Sequence, residues 1–266
     1  MRAGRLRDAG APLRVGGRHP RLPGVEETNA DAAPARTDQA HEGGEHETIT
    51  GWRVLHLFCR LRDDADLAAI ELACKEGEGD GHQVLTAALL GHKADLAVMA
   101  LGPSTERLRV LQSALRRAGC EPVWSYVSLT EVSEYARGVP EAMREARLHP
   151  VLPPAGFDAF CFYPMTKRRE AGANWYTLGY EERLSLMYGH GRSGRAFRDR
   201  VVQLVTASTG LDDFEWGVTL FGRSLEDIKQ CVYSMRFDEA SALYGDFGTF
   251  VVGVLAPPAD VLAMLR

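Results

Sequence analysis

The alternation of apolar and polar positions becomes regular at Trp52 and continues to the C-terminus, whereas residues 1–47 show no hydrophobic period. Val54–Leu61 alternates as a half-buried strand does. The stretch 64–75 follows with an aspartate cap, and Leu67, Ile70 and Cys74 fall at helical spacing. Gln83–Leu90 and Asp95–Leu101 read as two strands around a Gly91-His92-Lys93 turn. Ser104 is placed to cap a helix over 105–118 that Gly119 ends, and Pro122–Leu129 reads as a fourth strand.

The second half repeats this order. Phe157–Tyr163 predicts a strand and Tyr180–Tyr188 a helix, after which Gly189-His190-Gly191 is expected to leave His190 just beyond the helix end. Val201–Ala207 and Trp216–Phe221 predict two strands joined through Gly210-Leu211-Asp212-Asp213. Ser224 caps a helix over 225–235 with support from Asp227, and Thr249–Leu255 is the last strand. The order β-α-β-β-α-β therefore occurs twice, without sequence identity between the halves. It predicts an α+β fold in which two ferredoxin-like repeats close into a dimeric α+β barrel within one chain. Residues 48–154 form the first repeat and its linker, with Pro140, Pro150, Pro153 and Pro154 in the crossing from 132 to 154, and 155–266 form the second.

Residues 1–47, rich in Arg, Gly, Pro, Ala and His, bury too little apolar surface to offset the entropy of ordering. They are expected to be a disordered extension in which His41 and His46 are solvated. A net charge of −5 argues against general binding of nucleic acid, which needs basic surface. The five cysteines are scattered, with no CxxC spacing, as expected of reduced thiols in a cytoplasmic protein. No apolar run is long enough to span a bilayer, and the N-terminus lacks the apolar core of a secretory signal. There is no dinucleotide-binding GxGxxG, P-loop, GxSxG elbow or kinase signature.

What chemistry the pattern offers is concentrated between Phe157 and Arg195. His190 lies between two glycines that permit close approach of a planar group. No second ligand stands at zinc spacing, so a lone histidine makes sense as a metal ligand chiefly where a porphyrin supplies the in-plane donors. Tyr163 precedes Pro164 on a strand, and Lys167-Arg168-Arg169 is the kind of cluster that a carboxylate-bearing ligand needs. Trp175 and Tyr176 read as core. Arg147 and His149 lie in the linker, and Gln203 is polar on an otherwise apolar strand. Each of these residues, taken alone, also has an ordinary reading as packing, a helix cap or solvated surface.

Taken together they resemble the chlorite dismutase-like superfamily, and within it the coproheme decarboxylase branch. The resemblance rests on 162–169 (FYPMTKRR) with Asn174-Trp175-Tyr176, and on Gly189-His190-Gly191 with Gly194-Arg195. Two further stretches carry it, 209–219 (TGLDDFEWGVT) and 235–241 (MRFDEAS). It is dense in the second repeat, looser over 52–154 and absent before that.

The resemblance implies a cytoplasmic bacterial homopentamer of two-repeat barrels, with the porphyrin in the second repeat. It implies peroxide-dependent oxidative decarboxylation of iron coproporphyrin III (coproheme) to heme b through a tyrosyl radical, with hydrogen peroxide as oxidant. By motif, His190 is the iron ligand, Tyr163 the radical-bearing tyrosine and Lys167 its basic partner. Arg147 and Ser241 hold propionates, and Met165 and Trp175 line the pocket. Gln203 stands where chlorite dismutases place a distal arginine, which disfavours chlorite decomposition. His149 is the candidate base for peroxide. A ferrochelatase delivering coproheme is implied by the pathway. A chlorite dismutase-like enzyme and a non-catalytic heme-binding protein of the same fold are the alternative readings.

Overall fold

The computed structural model describes residues 48–136, 138–153 and 155–266. The expected disorder of 1–47, with His41 and His46, lies outside the described residues.

In the first half, β1 (Ile49–Leu61), α1 (Leu67–Gly77), β2 (Gln83–Leu90), β3 (Leu96–Gly102), α2 (Thr105–Arg117) and β4 (Cys120–Val132) follow in the expected order. The aspartate cap of α1 is Asp66, whose side chain accepts the Ala69 N–H, and Ser104 accepts the Arg107 N–H at α2. Gly119 turns the chain after α2 at φ +101°, and a Cβ there would lie 2.7 Å from the Ala65 backbone. Only glycine satisfies both demands.

The crossing to the second half is not bare linker, since it contains a 3-10 turn at Glu134–Ala136 and the helix α3 (Glu141–Leu148). The second half comprises β5 (Ala159–Lys167), the small hairpin β6 (Arg169–Glu170) and β7 (Ala173–Asn174), α4 (Tyr180–Arg195), β8 (Val201–Ala207) and β9 (Trp216–Gly222). It continues through α5 (Leu225–Met235), α6 (Glu239–Tyr244), β10 (Gly245–Phe247), β11 (Val251–Ala256) and α7 (Pro258–Met264). α4 does not stop at Tyr188. It carries His190 inside the helix and ends at Arg195.

The main sheet has nine strands in the order β10-β5-β11-β2-β3-β1-β4-β8-β9, and a further β5–β9 pairing joins its ends. With β10 a side branch on β5, the other eight strands form a closed antiparallel barrel. Each half contributes a block in the same order, β4-β1-β3-β2 and β11-β5-β9-β8, so that counted from its own first strand each reads four, one, three, two. Closure removes the exposed edges that an open sheet of this size presents.

Strand alternation sorts side chains between the barrel interior and the helix-covered outside. Val54, Phe58, Tyr126, Phe160, Phe162 and Phe221 pack inside. Leu55, Leu57 and Cys59 face the layer of α1, α2 and the C-terminal α7. On β5 the opposite parity places Ala159, Cys161 and Tyr163 outside the barrel, in a cluster with Ile228 and Cys231 of α5. Full burial of a side chain such as Phe162 contributes roughly 2–3 kcal/mol. The same alternation that fixes Phe162 in the core thus turns Tyr163 towards the helices.

Candidate functional site

Tyr163, Met165 and Lys167 lie two residues apart on β5 and share its outer face. Tyr163 is buried, stacked on Phe250 with ring centroids 4.3 Å apart, and Phe247 meets its edge at 5.8 Å. Burial raises the pKa of its phenol above the ordinary value, so the hydroxyl stays protonated at neutral pH.

Lys167 is 7% exposed, an unusual position for an ammonium. Its Nζ donates to the Ala240 carbonyl at 3.0 Å and lies 4.2 Å from the centroid of the buried Trp175 ring. Burial pushes its pKa down to about 8, against the opposing pull of Asp238 and Glu215. The proton on Lys167 is therefore exchangeable near neutral pH, unlike that of a surface lysine.

Across from β5, α4 presents His190. Its Nδ1 lies 3.2 and 3.3 Å from the two carboxylate oxygens of Asp238 and 3.3 Å from the Ser241 hydroxyl. Burial raises the Asp238 pKa, but the hydrogen bond and charge of His190 and the bonds from Ser241 outweigh it and hold the carboxyl below its usual range. An ionised carboxylate accepts, so Nδ1 is the nitrogen that donates to it, and Nε2 is the nitrogen turned away from this contact. This is the arrangement that orients and strengthens an imidazole ligand. Among the described residues Nε2 has no protein hydrogen bond, and no group of three or more His, Cys, Asp or Glu is placed to hold a metal. The donor set fits a metal whose remaining ligands come from a macrocycle, with one protein nitrogen below it.

The first turn of α6 joins these groups. Asp238 caps it by accepting the Ser241 N–H at 3.1 Å, and the Ala240 carbonyl receives Lys167. The far wall is formed by β8 and α5, where the Gln203 amide points at Cys231 Sγ (3.7 Å) and Met235 Sδ (3.9 Å). Thioether and thiol are weak acceptors, so this amide retains donor capacity. A Cβ on Gly194 would lie 3.3 Å from Gln203 Nε2, so the C-terminal half of α4 approaches β8 closely there. Gly191, three residues earlier on the same face, would meet only the end of Arg195 at 3.4 Å.

The fold thus gathers Tyr163, Met165, Lys167, Trp175, His190, Gln203 and Ser241 on β5, β8, α4, α6 and the turn after β7. It places Arg147 and His149 elsewhere. Arg147 is exposed in the last turn of α3, and His149 ends that helix with Nδ1 2.7 Å from Glu145 Oε2 and its ring 5.2 Å from that of Trp52. Neither has a contact with the His190 cluster among the described residues. Asp238 and Glu215 had no role assigned from the sequence. An aspartate one residue before a short apolar helix is an N-cap signal, but its bond to a histidine 48 positions away has no local signature.

The family described as Chlorite dismutase matches residues 62–256. A coproheme decarboxylase from Staphylococcus carnosus (strain TM300) is 40% identical over 246 residues, covering 83% of this chain and 98% of that protein. Among solved structures, a heme-binding protein from Thermus thermophilus superposes with a TM-score of 0.74 at 36% identity, over 84% of this chain and 98% of the other. A mutant chlorite dismutase from Candidatus Nitrospira defluvii shares the fold with a TM-score of 0.64 at 20% identity, over 82% and 96%.

Proposed function

The chain belongs to the chlorite dismutase family, and on that premise we propose that it is a coproheme decarboxylase, converting iron coproporphyrin III to heme b with hydrogen peroxide as oxidant. The observation that carries the reading is the pairing on one buried strand face of a protonated phenol, Tyr163, with a lysine of lowered proton affinity, Lys167, opposite a histidine held by a carboxylate. Binding alone asks for the histidine and some cations. It does not ask for a phenol beside a poised amine.

In this reading the substrate is also the redox centre, and once bound it supplies the oxidising power drawn from peroxide. His190 would hold it through Nε2, with Asp238 fixing the orientation of the ring. Ser241 and Lys167 take propionate oxygens, Met165 and Trp175 line the edge, and Gln203 offers its amide on the peroxide side. Arg147 and His149 stand apart from this cluster, in the last turn of α3 and at its end, and take no step in this reading.

Tyr163 supplies the step that the porphyrin's geometry demands. Loss of carbon dioxide from a propionate, leaving a vinyl group, follows removal of a hydrogen atom from its β-carbon and of one further electron, the two oxidising equivalents that one peroxide supplies. A phenoxyl radical on Tyr163 removes that atom and returns to phenol. To form the radical, the buried phenol releases its proton together with the electron. Lys167, titrating near 8, is the side chain suited to carry a proton and then hold a carboxylate. Trp175 and Phe250 exclude water from this corner, which strengthens the contacts and shields the radical.

The same reading makes the protein a cytoplasmic homopentamer that receives coproheme from a ferrochelatase. Addition of peroxide to the coproheme complex, followed by mass spectrometry of the porphyrin, tests the assignment. Two successive losses of a carboxyl group are expected. Unchanged coproheme would end it.

A further inference from the structure

Beyond this cluster lies a buried carboxylate that the reaction as described does not use. Glu215, 5% exposed, sits immediately before β9, and its oxygens face the C-terminal end of β5. Oε2 accepts the backbone N–H of Lys167 at 2.9 Å, and Oε1 pairs with the Arg169 guanidinium. The hydroxyls of Tyr176 and Thr166 lie near enough to the same carboxylate to help hold its pKa below the usual range against the effect of burial. Its own N–H donates to the Met165 carbonyl at 3.1 Å.

These contacts build the roof over Lys167. Arg169 begins the hairpin that leads to Trp175 and Tyr176, and its guanidinium lies 5.1 Å from the Tyr176 ring centroid. The Trp175 N–H returns to the Arg168 carbonyl at 3.0 Å, which brings the indole onto the Lys167 ammonium. One carboxylate therefore ties the backbone that carries Lys167 to the turn that covers it.

We propose that Glu215 is a positioning residue for Lys167, fixing both the strand end that presents its ammonium and the Arg169–Tyr176 turn that seats Trp175 over it. This deepens the decarboxylase reading, on which the role of Lys167 rests. A carboxylate bonded to the backbone of Lys167 and ion-paired with the exposed Arg169 acts on both. Its charge favours the protonated form of Lys167, while Arg169, 64% exposed, draws part of that charge away. Asp238, bonded to His190, is the other anion that raises the proton affinity of Lys167. Asp246 on β10 (paired with Thr166), Arg168, and Glu239 beside Ala240 on α6 are further charged groups adjacent to it in register or sequence.

The sign of two substitutions separates this role from a purely structural one. In Glu215→Gln the shape remains and the charge goes, so the titration midpoint of Lys167 falls. In Arg169→Met the anion is left uncompensated, so the midpoint rises. General loosening of the turn admits water to Lys167 in both variants and moves both midpoints the same way.

The experiment is a pH titration of the full chain without porphyrin, its lysines reductively methylated with carbon-13 and followed by NMR. Lys167→Arg identifies the Lys167 signal. Acrylamide quenching, with Trp175→Phe as reference, reports the roof, and Tyr176→Phe is expected to expose Trp175 several-fold more. Opposite shifts in the two charge variants support the proposal, and equal or absent shifts overturn it. Should Glu215→Gln not fold, Arg169→Met decides together with the quenching, because an unmoved midpoint, or a rise accompanied by exposure of Trp175, overturns the proposal. These readouts need no turnover, so failure of the wild-type protein to decarboxylate coproheme would end the functional reading and leave this result standing.

Discussion

His190 Nδ1 lies 3.2 Å from Asp238 Oδ1, and the same oxygen accepts the Ser241 N–H that starts α6. One carboxylate therefore orients the imidazole and caps the helix in which Ala240 receives Lys167. The two tasks separate by substitution. Asp238→Asn preserves the cap, since asparagine and aspartate cap about equally well, but it removes the negative charge that faces His190 Nδ1. Spectroelectrochemistry of the coproheme complex is expected to show a higher ferric/ferrous potential. Asp238→Ala loses the cap as well, and its unfolding free energy is expected to fall by a further ~1 kcal/mol in denaturant titration.

The C-terminal half of α4 holds Gly189, Gly191 and Gly194, a composition that costs a helix ~1 kcal/mol per glycine relative to alanine. No backbone atom crowds Gly189 or Gly191, so local packing does not require them. An open face for a planar ligand does. Gly191→Ala is expected to stabilise the porphyrin-free protein by about 0.5–1 kcal/mol in thermal unfolding. Gly191→Leu is expected to fold and to weaken coproheme binding at least tenfold in absorbance titration.

His56 is fully enclosed in the barrel, its Nε2 3.0 Å from Thr219 Oγ1 and its ring 4.3 Å from that of Phe162. Burial pushes its pKa down to about 3. The unfolded chain takes up a proton near pH 6.5 and the folded barrel does not until about 3, so stability falls as the pH drops between them. The slope from this one group approaches roughly 1.4 kcal/mol per pH unit. Urea midpoints of wild type are expected to drop between pH 6 and 4, and those of His56→Leu to be flatter over the same range.

Much of the architecture was legible because caps and alternation are local. Ser104 and Ser224 start α2 and α5 where the sequence places them, and β2 and β8 have the expected bounds. α4 was cut short because glycine propensity argues for a helix end at Gly189, whereas packing against α5 and α6 carries the helix on to Arg195. The short helices α3 and α6 carry too few turns for a periodic signal, and α6 depends on the Asp238 cap. Tyr163, Lys167 and His190 were recognisable as chemistry. Their supports were not, because Asp238, Ala240 and Glu215 reach Lys167 and His190 across 48 to 73 positions of sequence. Such contacts exist only once the sheet has closed.

The most direct test compares wild type with Tyr163→Phe, each loaded with coproheme and titrated with hydrogen peroxide while the porphyrin mass is followed. Loss of the hydroxyl leaves the stacking on Phe250 in place, so the variant is expected to bind coproheme as wild type does. Wild type is expected to pass through a three-propionate porphyrin to heme b, and Tyr163→Phe to leave coproheme undecarboxylated. Conversion to heme b by Tyr163→Phe at the wild-type rate would contradict the account.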